Sequence, residues 1–324
     1  MSKLREIGNQ LYSGERSYDF VGKRKLWYTI GVIAVILAIA LPIARGGFNF
    51  GIEFRGGSEF RLTNSQSLPQ QLATDVIQQI RPGVQVNVTG VGANDLRIQT
   101  EQLEDTESEA ARLALGEAFS VPAEEVASSF IGPNWGADVT RQALTGLVVF
   151  LALVSLLMAF YFRSWKMSVA ALLALAHDLI LTAGVYAAVG FEVTPAAVIG
   201  FLTILSYSLY DTVVVFDKVR ENTLEIEYSE TRTFGEMVNL AVNQTLVRSV
   251  NTSVVAVLPV ASILFIGSLV LGAGTLRDIA LALFVGTIVG TYSSIFLAAP
   301  IYAHLRENEP KLKEAREKVL ASRA

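Results

Sequence analysis

Three stretches of this chain place ionisable side chains inside runs that are otherwise apolar. In SYSLYDTVVVFDKVREN (206–222) the acid is Asp211; Thr203, Tyr207 and Asp211 recur at i, i+4 and i+8, a polar stripe on a helix with Ser208 at its edge. A charged Asp at the centre of a membrane span costs about 2.5–3.5 kcal/mol on insertion scales, so an acid there points to an ion or proton pathway. A structural ion pair is the alternative, as is a helix that ends one turn early, since Asp217 and Lys218 are close. In ALAHDLILTAG, His177 and Asp178 sit near the middle of another run, with Asp178 roughly 16 Å of helix beyond Met167. A histidine beside a carboxylate can relay protons; equally, one of the two can cap a polar neighbour while the other holds helices together. In NQTLVRSVNTS, Arg248 opens a third run and is followed by Ser249, Asn251, Thr252 and Ser253. An arginine at a membrane edge commonly snorkels to the interface. If its span neighbours that of Asp211, the cation favours the carboxylate while burial favours the protonated acid.

Other chemistries find no residues. The chain has no cysteine and two histidines, His177 and His304, far apart, so neither thiol chemistry nor a zinc site is expected. No Walker motif is present: Gly56 and Gly57 in FNFGIEFRGGSEFRL lack the lysine and fit a β-turn between two strand-like runs. We therefore expect no enzyme, no metal and no cofactor, and no work driven by ATP hydrolysis in this chain. Gly286 and Gly290 form a G-x-x-x-G ridge, followed by Ser294, that suits helix packing.

The elements that must position these groups are membrane spans. Of 324 residues, 52% are hydrophobic and 17% charged, outside the range of soluble domains. About 20 apolar residues cross a bilayer, and six runs qualify: 26–44, 139–162, 167–189, 195–217, 249–271 and 279–305. The first lacks a cleavage site and reads as a retained anchor. Lys and Arg concentrate in 1–25, in the tail 306–324, at Arg163 and Lys166, and after span four, whereas GFEVTP (190–195) has none. Both termini are therefore expected in the cytoplasm. Residues 46–138, with thirteen acids and five Arg, then form one extracytoplasmic domain. Its pattern runs β-α-β-β-α-β, with Ser67 as a cap of the first helix, and predicts a ferredoxin-like α/β fold. Segment 229–247 reads either as an amphipathic helix on the cytoplasmic interface or as an extension of span five. The expected fold class is thus an α-helical polytopic membrane protein with six transmembrane helices and one α/β ferredoxin-like domain between helices 1 and 2.

FNFGIEFRGGSEF, ALAHDLILTAG, SYSLYDTVVVFDKVREN, NQTLVRSVNTS and GTYSSIFLAAP, in this order and on this topology, together resemble the SecF branch of the SecD/SecF family of bacterial protein-export membrane proteins, within the resistance-nodulation-division superfamily. The resemblance implies a half-sized transport unit in the bacterial cytoplasmic membrane that pairs with SecD and uses the proton gradient to help draw polypeptides from the Sec channel (SecY, SecE, SecG). By motif it puts proton movement on Asp211 and Arg248. Tyr210 departs from the Asn common in relatives before that acid, which bears on the acid's hydrogen bonding. The basic termini are expected to touch membrane lipid, and no nucleic acid is expected as a partner. Two other readings stay open: a stand-alone proton-driven exporter of lipid or hydrophobic small molecules, and a non-transporting scaffold for SecD and the channel.

Overall fold

The computed structural model describes residues 3–63, 69–91, 94–162, 164–224, 226, 231–267 and 274–323. After α1 (Lys3–Ser13) comes α2 (Arg24–Ala44), the first of six helices, among the described residues, long and apolar enough to cross a membrane. A short helix, α3 (Ile52–Arg55), leads into a small α/β domain: β1 (Gly57–Leu62), α4 (Gln70–Ile80), β2 (Val86–Val91), β3 (Asp95–Thr100), α5 (Asp105–Phe119) and β4 (Val126–Ile131). The long helices then resume as α6 (Pro133–Phe162), α7 (Trp165–Val189), α8 (Pro195–Asn222) and α9 (Phe234–Ser262), the last running on into a π-helical turn (Ile263–Gly267). The sixth span is composite: α10 (Gly274–Ser293), a second π-helical turn (Ser294–Ala298) and α11 (Ala299–Arg306). Finally α12 (Pro310–Arg323) folds back on the bundle, burying Leu312, Ala315 and Val319. The basic tail is thus a docked helix, with Arg323 paired to Glu236 at 2.7 Å.

The helices outrun the apolar stretches where polar residues extend the same hydrogen-bonding ladder. So α6 begins at Pro133, not 139, and α8 continues to Asn222, not 217. The larger correction concerns 229–247. A Thr233/Glu236 capping box starts α9 at Phe234, and no glycine or proline interrupts it between Gly235 and Pro259. Its buried positions Phe234, Val238, Ala241, Val242, Thr245, Ser249 and Ser253 keep one helical face through the expected join. This segment therefore packs on the bundle as the start of span five. Residues 229 and 230, the end of span five beyond 267, Arg163 and the Ser67 cap lie outside the described residues; α4 has Pro69 at its N-cap position.

In the α/β domain the sheet order is β2-β3-β1-β4, antiparallel throughout. One face carries Phe60, Leu62, Leu96 and Ile98, covered by Ala73 and Ile77 of α4 and Ala111 and Leu115 of α5. The run before Gly56 is a helical turn, not a strand. Gly56 and Gly57 both take positive φ, 78° and 146°, which only glycine adopts without strain. A Cβ on Gly57 would also strike the Thr100 carbonyl.

The domain is seated on the turn between α7 and α8. Val193 donates its N–H to the Asn49 carbonyl at 2.7 Å and accepts from the Gly51 N–H at 3.0 Å. Beside it Arg97 of β3 meets three carboxylates, Glu59 at 2.7 Å, Glu192 at 3.2 Å and Glu53 at 3.4 Å. At the opposite end of the bundle, Asn239 and Asn243 of α9 accept the N–H groups of Phe20 and Tyr18, both at 2.8 Å. Arg24 pairs with Glu307 and Lys166 with Glu309 across the same end.

Candidate functional site

The site is built where α8 and the sixth span cross closely. Gly200, Ile204 and Ser208 on α8 face Ala282, Gly286 and Gly290 on α10: a Cβ on Gly290 would lie 2.8 Å from that of Ser208, and one on Gly286 would strike Ile204. The G-x-x-x-G ridge thus lets two backbones approach, and it brings hydroxyls from the sixth span to the depth of the acids.

Asp211 is buried, and both of its oxygens accept hydrogen bonds from other helices. The Ser249 hydroxyl of α9 donates to Oδ1 at 2.7 Å, and the Ser294 hydroxyl donates to Oδ2. Asp178 of α7 is buried more deeply and accepts from Ser293 at 2.7 Å and from Ser208 of α8. His177 places Nδ1 3.3 Å from the other Asp178 oxygen. Consecutive residues point about 100° apart on a helix, so Ser293 serves one acid and Ser294 the other. The widened turn that follows them precedes Pro300, which has no N–H to donate to the carbonyl four residues back. Such π-turns cluster at functional sites.

Not every expected residue joins this constellation. Arg248 is exposed and reaches the Tyr210 hydroxyl at 3.5 Å, the long limit of a hydrogen bond, instead of pairing with Asp211. Its neighbour Ser249 points at the acid, and one residue of helical rotation turns the guanidinium outward. Tyr210, which is 56% exposed, is therefore the arginine's partner on the bundle surface. Thr203 and Asn251 are also exposed, and Thr203 donates to its own helix at the Ile199 carbonyl. Tyr207 is half-buried and donates to Ser253 at 3.3 Å; Ser253 also contacts Thr291. Among the described residues no Lys or Arg ion-pairs with Asp211 or Asp178, and no group of three or more His, Asp or Glu is placed to hold a metal ion.

The residues that sequence reasoning missed are the hydroxyl donors Ser293 and Ser294. Their signal is the pair of adjacent serines in the apolar run GTYSSIFLAAP, of which Ser294 also continues the Gly286–Gly290 packing ridge. Chemically, the arrangement can hold a carboxylate away from water, since hydroxyls of neighbouring spans donate to its oxygens. The donors can also turn away. Ser294 lies 3.2 Å from the Thr291 carbonyl and Ser293 3.2 Å from that of Gly290, so each hydroxyl has a second acceptor to turn to.

Comparison with known proteins gives a consistent answer. The family described as protein export membrane protein SecD/SecF, C-terminal, matches residues 113–308, and the SecD/SecF GG motif matches residues 43–64. Protein translocase subunit SecF of Streptomyces coelicolor is 46% identical over an alignment covering 100% of this chain and 86% of the relative. The Mycobacterium tuberculosis SecF subunit is 41% identical, with coverage of 97% and 73%. The crystal structure of SecDF from Thermus thermophilus, a translocon-associated membrane protein, superposes with a TM-score of 0.77 at 32% identity over 90% of this chain. The chain spans 39% of that SecDF chain. Six apolar helices on this ancestry make a multi-pass membrane protein. With over half its length inside the family match and near-complete alignment to SecF subunits, the chain belongs to the SecD/SecF family of protein-export membrane proteins.

Proposed function

We propose that this chain is the SecF-type subunit of a SecDF complex in the bacterial cytoplasmic membrane, and that it uses the proton gradient to assist polypeptides leaving the Sec channel. The observation that carries this reading is Asp211: a buried carboxylate whose two oxygens are held by hydroxyls from two other spans. While it is charged, Ser249 and Ser294 donate to it and draw α8, α9 and the π-turn together. On protonation it becomes a donor, one serine must turn to its alternative acceptor, and the three-helix contact is altered. A proton that binds two arrangements with different affinity shifts the balance between them. No step calls for a cofactor, a metal or enzymatic turnover.

Arg248 acts from the bundle surface. Together with Tyr210 and Asn251 it makes an outward polar strip on apolar helices, which lipid cannot satisfy. This supports a second set of spans, from SecD, covering the strip. The sheet order β2-β3-β1-β4 with two helices on one face supports a ferredoxin-like domain. The basic short loops support its extracytoplasmic placement, with both termini in the cytoplasm among anionic lipid headgroups. SecY, SecE, SecG and the exported chain are the remaining partners of this reading. Kinship with SecF and SecDF does not favour a stand-alone exporter of hydrophobic molecules.

The test is Asp211→Asn in vesicles carrying SecD, the Sec channel and no native SecF. Proton flux and export are both expected to fall to background, and Arg248→Ala to behave similarly at normal protein levels. Wild-type flux in Asp211→Asn sinks the proton role; wild-type export in that variant, combined with loss on omitting the protein, identifies a scaffold.

A further inference from the structure

A cleft of about 700 Å³ opens in the α/β domain between α4, the start of β2, the end of β3 and segment 49–56. Six of its fifteen lining residues carry a side-chain amide: Asn49, Gln78, Gln85, Asn87, Gln99 and Gln102. Asn87 donates to Glu192 and Gln99 to Glu59, both at 3.1 Å, which fixes those two amides. The side-chain amides of Asn49, Gln78, Gln85 and Gln102 bond no other described residue, so their donors and acceptors are open to a ligand. The glycine turn builds one wall. With no side chain between Gly57 and the Thr100 carbonyl, segment 49–56 closes against the end of β3, and Gly56 lines the cleft together with Thr100.

The lining selects a ligand by its chemistry. Among the described residues no aromatic ring lines the cleft, so it offers no stacking face to a sugar or a base. Its charged residues are one cation, Arg55, and one acid, Glu101, which do not make a site for a phosphate or a polyanion. Ile52, Val84 and Val86 are too few apolar side chains to hold a lipid. What a set of amides matches is another amide, since each presents N–H donors and a C=O acceptor in one plane, as a peptide unit does. The cleft also meets β2, which among the described residues has a strand neighbour, β3, on one side only. Alternate residues of such an edge turn N–H and C=O outward, and β2 (VNVTGV) carries neither the charge nor the proline that guards exposed edges.

We propose that this cleft binds the main chain of an extended polypeptide, whatever its sequence, through the side-chain amides and the outer edge of β2. Main-chain hydrogen bonds give affinity without reading side chains, which is what a subunit handling many different unfolded chains requires. That the occupant is the exported chain rests on the function proposed above; recognition of a main chain by the cleft does not.

The experiment uses the full chain, assembled with SecD and the Sec channel in vesicles. The chain has no cysteine, so Gln102→Cys gives it a unique thiol, and a stalled exported polypeptide carries one cysteine at successive positions. Disulfide cross-links to Gln102→Cys are expected from two exported chains of unrelated sequence, in similar yield, whereas Leu113→Cys on the exposed side of α5 should give none. Gln78→Met combined with Gln85→Met keeps side-chain length and removes two partners of the main chain, and should lower the yield at least about five-fold. A soluble peptide of Gly, Ser and Thr should compete with the exported chain, and its N-methylated form, which lacks the N–H donors, should not. This competition needs no change at Gln78 or Gln85, so it decides the matter if the double variant fails to insert. The proposal is overturned by no cross-link at Gln102→Cys, by a cross-link to SecD in its place, or by yields that follow the exported sequence. It is equally overturned by a yield that the inserted double variant leaves unchanged, or by equal competition from the N-methylated peptide. Asp211→Asn should keep the cross-link while losing proton-driven export, so failure of the cleft and failure of the functional reading give different results.

Discussion

Asp211 is kept in a dry place by two hydroxyls, and their removal tests that statement most directly. A hydrogen bond to a charged group contributes about 1.5–3 kcal/mol, and Ser249→Ala or Ser294→Ala removes one such contact between α8 and a neighbouring span. Either variant is expected to slow proton-driven export by roughly ten-fold or more, with normal membrane insertion; a variant whose flux is wild-type across the pH range removes that hydroxyl from the site. The acid itself was legible in the sequence because a lone Asp in an apolar run has few explanations. Its surroundings were legible only in part, for a geometric reason. Residues at i, i+4 and i+8 drift, since eight residues turn 80° past two full turns at 3.6 per turn. Thr203 therefore rotates out to the surface while Ser208, Asp211 and Ser249 stay inside. The same rotation separates Arg248 from Ser249, and no reading of a single strip of sequence could say which of the two meets the acid.

At the scale of elements, Gly286 and Gly290 mark a face of α10 suited to close helix contact, because small-residue spacing is a local property, but they do not say that α8 is the helix that packs there. The seating of the α/β domain has no such mark. Arg97 lies in an ordinary alternating strand, and its partner Glu192 sits in a turn read only for its lack of basic residues. Three carboxylates share this one guanidinium. Burial raises Glu192 above the usual glutamate range, Arg97 pulls it down, and Glu53 and Glu59 push it further up. A carboxyl raised on docking holds its proton more tightly in the docked form. Docking is therefore strongest in acid and weakens as pH rises from the ordinary glutamate value through the raised one. Spin labels on α4 and α6 should report a docked distance that broadens as pH rises above the ordinary glutamate range, and Glu192→Gln should flatten that response. Arg97→Ala leaves the three acids without their cation, and should broaden the distribution at neutral pH. A distance insensitive to both changes would mean that the Asn49–Val193 and Gly51–Val193 backbone bonds hold the domain alone.

On the whole molecule, the six-span layout followed from length and hydropathy, whereas the packing of both terminal segments did not, because their apolar residues are sparse and find partners only once the bundle exists. The distribution of polarity across the bundle surface carries the last prediction. Most of the exposed face of α6 is aliphatic or aromatic, with Leu153, Leu156 and Phe160 at 62%, 69% and 80% exposure, as a lipid-facing helix should be. The α8–α9 face instead offers Thr203, Tyr210, Arg248 and Asn251; Thr203 bonds within its own helix, but Arg248 and Asn251 in hydrocarbon are costly unless a neighbouring helix answers them. If SecD covers this face, cysteines placed at Thr203 and Asn251 should cross-link to cysteines in its spans, while one at Leu156 should not. The chain contains no cysteine of its own, so each introduced thiol is a unique reporter. Cross-links that form at Leu156 and fail at both polar positions would place the partner on the opposite side, and Arg248 would then need water rather than a protein neighbour to carry its charge.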